Sequence, residues 1–190
     1  MDINCSSGIL SGKRIKQEID KGTIVIKPFD EKRLNPNSYN VRLDDELLTY
    51  EHGLLDMRVE EPYTIERMTA TGKLLIPGKI YLAKTIEKTE THGFVPMLEG
   101  RSSVGRLGLF VHATAGFGDN GFEGYWTLEL SCIQPIVIYP GIEIAQLYYH
   151  TIAEADEDGA GHELDPMLYL EGKYAMNTGI QPSMLYKEFQ

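Results

Sequence analysis

The chain has 190 residues, 42% of them hydrophobic and 24% charged, with a formal net charge of −10. That length suits one domain with a substantial core, and the composition is that of a folded globular protein rather than a disordered or fibrous one. The negative charge argues against nucleic-acid polymers and anionic membranes, which demand clustered Lys and Arg, but a small anion needs only a few local cations.

No apolar run approaches the roughly 18 residues that would span a bilayer. Met1–Cys5 carries an acidic residue and no apolar stretch, so it does not read as a secretory signal, and the expected location is the cytoplasm. Cys5 and Cys132 read as two unrelated thiols rather than a disulfide.

Ser11 is placed to cap a short helix, with Ile15 and Ile19 on one face and Gly22 as the stop signal. The pattern then changes. Thr23–Lys27, Tyr39–Leu43, Leu47–Tyr50, Lys73–Ile76 and Ile80–Lys84 are short, branched or aromatic segments set off by Gly, Pro, Asn and Asp. Leu107–His112, Tyr125–Ser131, Ile133–Tyr139 and Ile144–His150 continue the series. Their spacing predicts a mainly β fold, a barrel or sandwich with one or two short helices. Leu75-Ile76-Pro77-Gly78 and Ile138-Tyr139-Pro140-Gly141 look alike, but Pro-Gly turns are common and carry little weight as a repeat. Glu154–His162 reads as an exposed acidic loop, and Tyr169–Gln190 as either a frayed tail or a lid over a ligand.

The densest chemical constellation is Gly100-Arg101-Ser102-Ser103-Val104-Gly105-Arg106. Its glycines admit close backbone approach, its hydroxyls donate, and its guanidiniums match phosphate geometry. It is not a P-loop: Arg106 and Leu107 stand where that motif needs Lys and Ser or Thr, and β-like residues follow. A plain arginine-bearing turn is the competing reading. Thr127-Leu128-Glu129-Leu130 sets a carboxylate in an apolar strand, with Thr127 and Glu129 on one face. If that face lines a pocket, desolvation raises the Glu129 pKa toward neutrality and suits it to proton transfer; if it meets solvent, the residue is ordinary. Asp119 lies in a Gly-rich turn, where Asp commonly bonds its own backbone. The five histidines show no metal spacing, and the zinc-deaminase signature is absent. His112, beside Phe110 and Val111, reads as a hydrogen-bonded core histidine.

From Glu99 through Ser131 the chain reads EGRSSVGRLGLFVHATAGFGDNGFEGYWTLELS, which closely resembles the signature region of the dCTP deaminases, relatives of the trimeric dUTPases. ILSGKRIKQEIDKG, NPNSYNVRL, PGIEIAQL and the late GKY resemble the family's opening helix, first strand motif, later strand and nucleotide-covering tail. The resemblance implies a dUTPase-like distorted, jelly-roll-like β-barrel over residues 1–190, with 154–190 as acidic loop and tail. It also implies a homotrimer with sites between subunits, dCTP and dUTP as substrates, and dTTP as a feedback inhibitor.

It further implies a zinc-independent deamination in which Glu129 activates the water that attacks cytosine C4. Ser102 and Arg106 would help hold that water and the glutamate, and the backbone at Ala115 would position water and base. Asp119 would read the deoxyribose 3′-hydroxyl. Arg101, Ser102, Ser103, Val104, Gly105, Arg106 and Lys173 fall where the family holds the triphosphate with its Mg²⁺, and Thr127, Leu128, Gln146, Tyr169 and Asn177 match further nucleotide contacts. Gly116-Phe117 resembles the branch that also cleaves dUTP to dUMP; a small, flexible Gly116 gives room for a second water. Gly118 and Asn120 depart from the family pattern in a way that would loosen the turn at Asp119, and Asn177 stands where the family usually has Gln. The alternatives are a deaminase that releases dUTP, a pure dUTPase (disfavoured because that relative normally lacks a carboxylate at the Glu129 position), and a non-catalytic nucleotide-binding regulator.

Overall fold

The computed structural model describes residues 8–112, 115–152 and 178–190. Helix α1 (Gly12–Lys21) begins where Ser11 Oγ accepts the Arg14 N–H at 3.3 Å and ends at Gly22, whose φ of 80° is the left-handed stop. It buries Ile15 and, less expectedly, Glu18. That carboxylate is met by the Thr23 hydroxyl at 2.6 Å, Arg14 at 2.8 Å and Lys21 at 2.9 Å, which offset its burial.

Ten strands follow among the described residues: β1 (Ile24–Lys27), β2 (Tyr39–Tyr50), β3 (Tyr63–Arg67), β4 (Lys73–Leu75), β5 (Tyr81–Thr91), β6 (Phe94–Gly100), β7 (Leu109–Phe110), β8 (Glu123–Cys132), β9 (Ile136–Ile138) and β10 (Glu143–Thr151). A one-turn helix, α2 (Ser102–Gly105), lies between β6 and β7. The main sheet runs β6–β10–β2–β5–β8–β7, with β1 added to β5 and β3 to β2, all antiparallel. It curls into a distorted barrel around Tyr39, Val41 and Leu43 of β2, Leu128 and Leu130 of β8, and Leu147 and Tyr149 of β10. β4 and β9 form a separate antiparallel pair. These are the two look-alike segments before the Pro-Gly turns, and they are each other's partners.

Bulges accompany the curl, one between Glu143 and Ala145 of β10 and two more in β2 and β5. Between Leu43 and Leu47 the β2 register slips, so Asp44, Asp45 and Glu46 stand opposite Lys84 alone, and Lys84 bonds Asp44 at 2.7 Å and Glu46 at 3.1 Å. Between Lys84 and Lys88, residues 85–87 of β5 oppose only Trp126 of β8. There the Thr85 hydroxyl accepts the Trp126 N–H (3.1 Å) and donates to the Glu87 carbonyl (2.8 Å). The buried Glu87 carboxylate takes the Arg42 N–H and Nε at 2.8 and 2.7 Å.

Several elements differ from the sequence expectation. The segments read as Tyr39–Leu43 and Leu47–Tyr50 are one strand, because Lys84 neutralises the acidic bulge between them. β3 and β6 were not anticipated. β3 exposes every residue along the chain, and β6 contains Pro96, which an edge strand tolerates. Leu107–His112 is strand only at Leu109–Phe110, and a helical turn precedes it. The acidic loop read at residues 154–162 lies outside the described residues.

Candidate active site

Strand β8 alternates without interruption, burying Gly124, Trp126, Leu128, Leu130 and Cys132 and turning Thr127 and Glu129 the other way. The Glu129 N–H is fixed to the Val111 carbonyl at 2.9 Å, and its side chain is 29% exposed. The second face is therefore neither core nor open surface. It forms the floor of a cleft of about 900 Å³ whose walls include Ala115, Phe117, Asp119 and Phe122. The pocket alternative for the Thr127/Glu129 face is the one the structure adopts.

His112 shares that cleft. Its side chain is 9% exposed, and Nδ1 stands 3.8 Å from Glu129 Oε2, too far for a hydrogen bond. Neither ring nitrogen has a hydrogen-bond partner among the described residues, so the expectation of a satisfied core histidine is corrected. The ring lies at the wall between the main cleft and a second one, with both nitrogens buried.

The aromatic wall is rigid. Trp126 donates Nε1–H to Thr89 at 3.0 Å and stacks on Phe122 with centroids 4.5 Å apart. The turn carrying Asp119 is tied by several bonds, among them the Phe122 N–H to the Asp119 carbonyl (3.1 Å) and the Gly93 N–H to Asn120 Oδ1 (2.7 Å). Gly118 packs so closely that a Cβ would lie 2.5 Å from the Trp126 ring. Gly118 and Asn120 thus fasten this turn, contrary to the looser turn expected from their departure from the family pattern. The Asp119 backbone, not its carboxylate, closes the turn.

The 100–106 loop lies elsewhere on the same chain. Gly100, Arg101, Ser102 and Gly105 line the second cleft, of about 440 Å³, separated from Glu129 by His112 and Phe117, which belong to both. Arg101 is bonded to Glu143 through Nη1, at 3.1 Å to its carbonyl and 3.1 Å to its carboxylate. Ser103 and Arg106 are exposed, and Val104 and Leu128 send their side chains into the core. Gln146 Oε1 accepts the Ser38 hydroxyl at 3.3 Å and lines neither cleft. Tyr169, Lys173 and Asn177 lie outside the described residues.

The structure thus gathers Ala115, Phe117, Asp119, Thr127 and Glu129 in one cleft and Arg101, Ser102, Gly105 and Gly116 in another. Sequence reasoning missed His112, Phe122 and Trp126 as site walls; the aromatic density of Phe122, Tyr125 and Trp126 beside Glu129 was the available signal. It also missed the wall built by the loop between β2 and β3; Gln181, Pro182, Ser183, Leu185 and Tyr186, which line the same cleft, fall within the segment read as a frayed tail or a lid. Among the described residues, no group of three or more His, Cys, Asp and Glu side chains is arranged to hold a metal ion, and no helix is long and apolar enough to cross a membrane.

Comparison with known proteins connects this geometry to a family. The dCTP deaminase-like family model matches residues 9–152. The chain is 55% identical over 183 residues to "dCTP deaminase, dUMP-forming" of Clostridium beijerinckii, covering 96% of this chain and 99% of that one. It is 56% identical over 182 residues to the protein of the same name from Hathewaya histolytica, with the same coverages. The Leptospira biflexa protein of that name is 52% identical, covering 96% of this chain and 98% of that one. Among solved structures, the 2′-deoxycytidine 5′-triphosphate deaminase of Agrobacterium tumefaciens superposes with a TM-score of 0.62 at 18% identity. That match covers 79% of this chain and only 50% of the other, and it bears on the fold alone. With a matching family model over most of its length and relatives above half identity end to end, the chain belongs to the dCTP deaminase-like family.

Proposed function

We propose that the protein hydrolytically deaminates dCTP at cytosine C4 and cleaves the resulting dUTP on the same site, giving ammonia, dUMP and diphosphate. Supporting this reading are relatives named as dUMP-forming dCTP deaminases at 52–56% identity over nearly the whole chain. The observation in the molecule that carries it is Glu129, a carboxylate on the floor of an aromatic cleft, 3.8 Å from a histidine whose ring nitrogens have no hydrogen-bond partner among the described residues.

In the first step Glu129 takes a proton from a water whose oxygen bonds to C4. That proton then passes to the amino nitrogen, which leaves as ammonia, and the water's other proton ends on N3 as the C4 carbonyl forms. In the second, water attacks the α-phosphate and diphosphate leaves. Asp119, exposed at the cleft rim, is assigned to the deoxyribose 3′-hydroxyl, and the backbone at Ala115 to the base and water. Ser102 and Arg106 are assigned to the water and Glu129, with Arg101, Ser103 and Gly105 toward the triphosphate. Because their loop and Glu129 open on different clefts of one chain, this assignment calls for a second copy, and a homotrimer with sites between subunits supplies it.

Mg²⁺ is assigned to the triphosphate, where it would supply charge neutralisation. We further assign the chain to a single domain acting in the cytoplasm, with dTTP competing for the same site.

Incubation with dCTP and Mg²⁺, with product separation, tests the reading. Ammonia with dUMP is expected; accumulating dUTP would leave deamination alone, and untouched dCTP would refute both. Glu129→Gln is expected to abolish ammonia release while nucleotide affinity stays within about tenfold, since the lost role belongs to the transition state.

A further inference from the structure

Residues 178–190 pack against the cleft that holds Glu129. The Gln181 N–H donates to Thr127 Oγ1 at 3.1 Å, two residues along β8 from Glu129 on the same face. The Ser183 N–H donates to the Tyr50 hydroxyl at 2.9 Å. A short 3-10 helix, Leu185–Phe189, then runs along the loop between β2 and β3. There the Arg58 guanidinium lies 5.7 Å from the centroid of the Phe189 ring.

The loop that receives this segment is ordered by its own bonds. The Glu61 carboxylate takes the Asp56 N–H at 2.7 Å and faces His52 Nδ1 at 3.0 Å. Asp56 in turn accepts the Arg58 N–H at 2.9 Å, and Glu51 N–H bonds the Pro62 carbonyl at 3.0 Å across the loop base. Leu55, Met57 and Val59 of this loop and Pro182 and Leu185 of the terminal segment form one continuous apolar wall of the cleft.

We propose that Tyr50 and Arg58 are positioning residues that seat residues 178–190 as a preformed wall of the nucleotide cleft. The inference rests on reading that cleft as the dCTP site. A seated segment has lost its conformational freedom before the nucleotide arrives, so binding costs less and the cleft holds less water. Because the contacts are made before and during reaction alike, they set binding rather than the chemical step.

The test combines steady-state turnover of dCTP with hydrogen exchange over residues 178–190, in the full-length chain and in Tyr50→Phe, Arg58→Ala, Phe189→Ala and the Arg58/Phe189 double variant. Each single change is expected to raise KM about three- to tenfold with kcat held within about twofold, and to speed exchange in the segment. The double variant is expected to be no worse than the more affected single variant within about twofold, since both remove one contact. A segment that exchanges at free-chain rates in the unaltered protein overturns the proposal whatever the activity. So does an active enzyme whose KM is untouched by all four variants. A protected segment in a chain that leaves dCTP intact overturns the functional reading, and with it the role of the loop; the missing ammonia tells that result from the other two.

Discussion

Gly116 has no room for a methyl group. A Cβ there would stand 2.2 Å from the Leu98 carbonyl oxygen, while the Leu98 N–H donates to the Gly116 carbonyl at 2.7 Å. The residue is small because two backbones touch, which is a different reason from the flexibility that its sequence context suggested. Gly116→Ala is expected to push residues 115–118 off β6, costing about 1–3 kcal/mol by denaturant titration. The shift should also lower the dUMP share of the products, since Ala115 and Phe117 move with it. Glu18 offers a pH signature. Burial pulls its carboxyl up, but Thr23, Lys21 and Arg14 together hold it below its usual value of 4.5. A folded-state pKa below the unfolded one gives a stabilisation complete above the unfolded value and lost as pH falls through the folded one. Glu18→Gln is therefore expected to weaken the fold at neutral pH, with the gap to the unaltered protein narrowing on acidification below about pH 4.5; paired urea titrations at several pH values would check it.

The bulge where residues 85–87 face Trp126 shows what an element can hide from its sequence. Alternation in β8 was readable because every second residue from Gly124 to Cys132 is buried, and helix α1 was readable from Ser11 and Gly22. β2 was not readable as one strand, since Asp44, Asp45 and Glu46 look like a break until Lys84 stands opposite. Nor was the site's division into two clefts legible, for the 100–106 loop and Glu129 are close in sequence and part only when His112 and Phe117 come between them. Both misses are long-range facts, decided by partners that no local pattern contains. The bulge also yields a prediction. Thr85→Val keeps the volume but removes the acceptor of the buried Trp126 backbone N–H, and is expected to cost about 1–3 kcal/mol, read as a lowered denaturation midpoint.

Taken whole, a single chain leaves apolar side chains in water: Leu54, Leu107, Phe110 and Ile133 are each at least half exposed. Such surface is what the proposed association between copies would cover, and that association would bring clefts of neighbouring copies together. If Glu129 of one copy works with Arg106 of another, mixing Glu129→Gln chains with Arg106→Ala chains and allowing exchange should restore roughly a quarter of the sites, while either variant alone stays inactive. Turnover that never recovers on mixing would place both residues in one chain's site. The strand order carries one more consequence. β10 lies between β6 and β2, yet it begins about a hundred residues after β2. At roughly 5–20 residues per second of synthesis, β2 waits on the order of 5–20 s for that neighbour to leave the ribosome. A nascent chain therefore carries open strand edges for most of its birth, and the yield of folded protein from a cell should depend on how fast it is translated and on what shields those edges meanwhile.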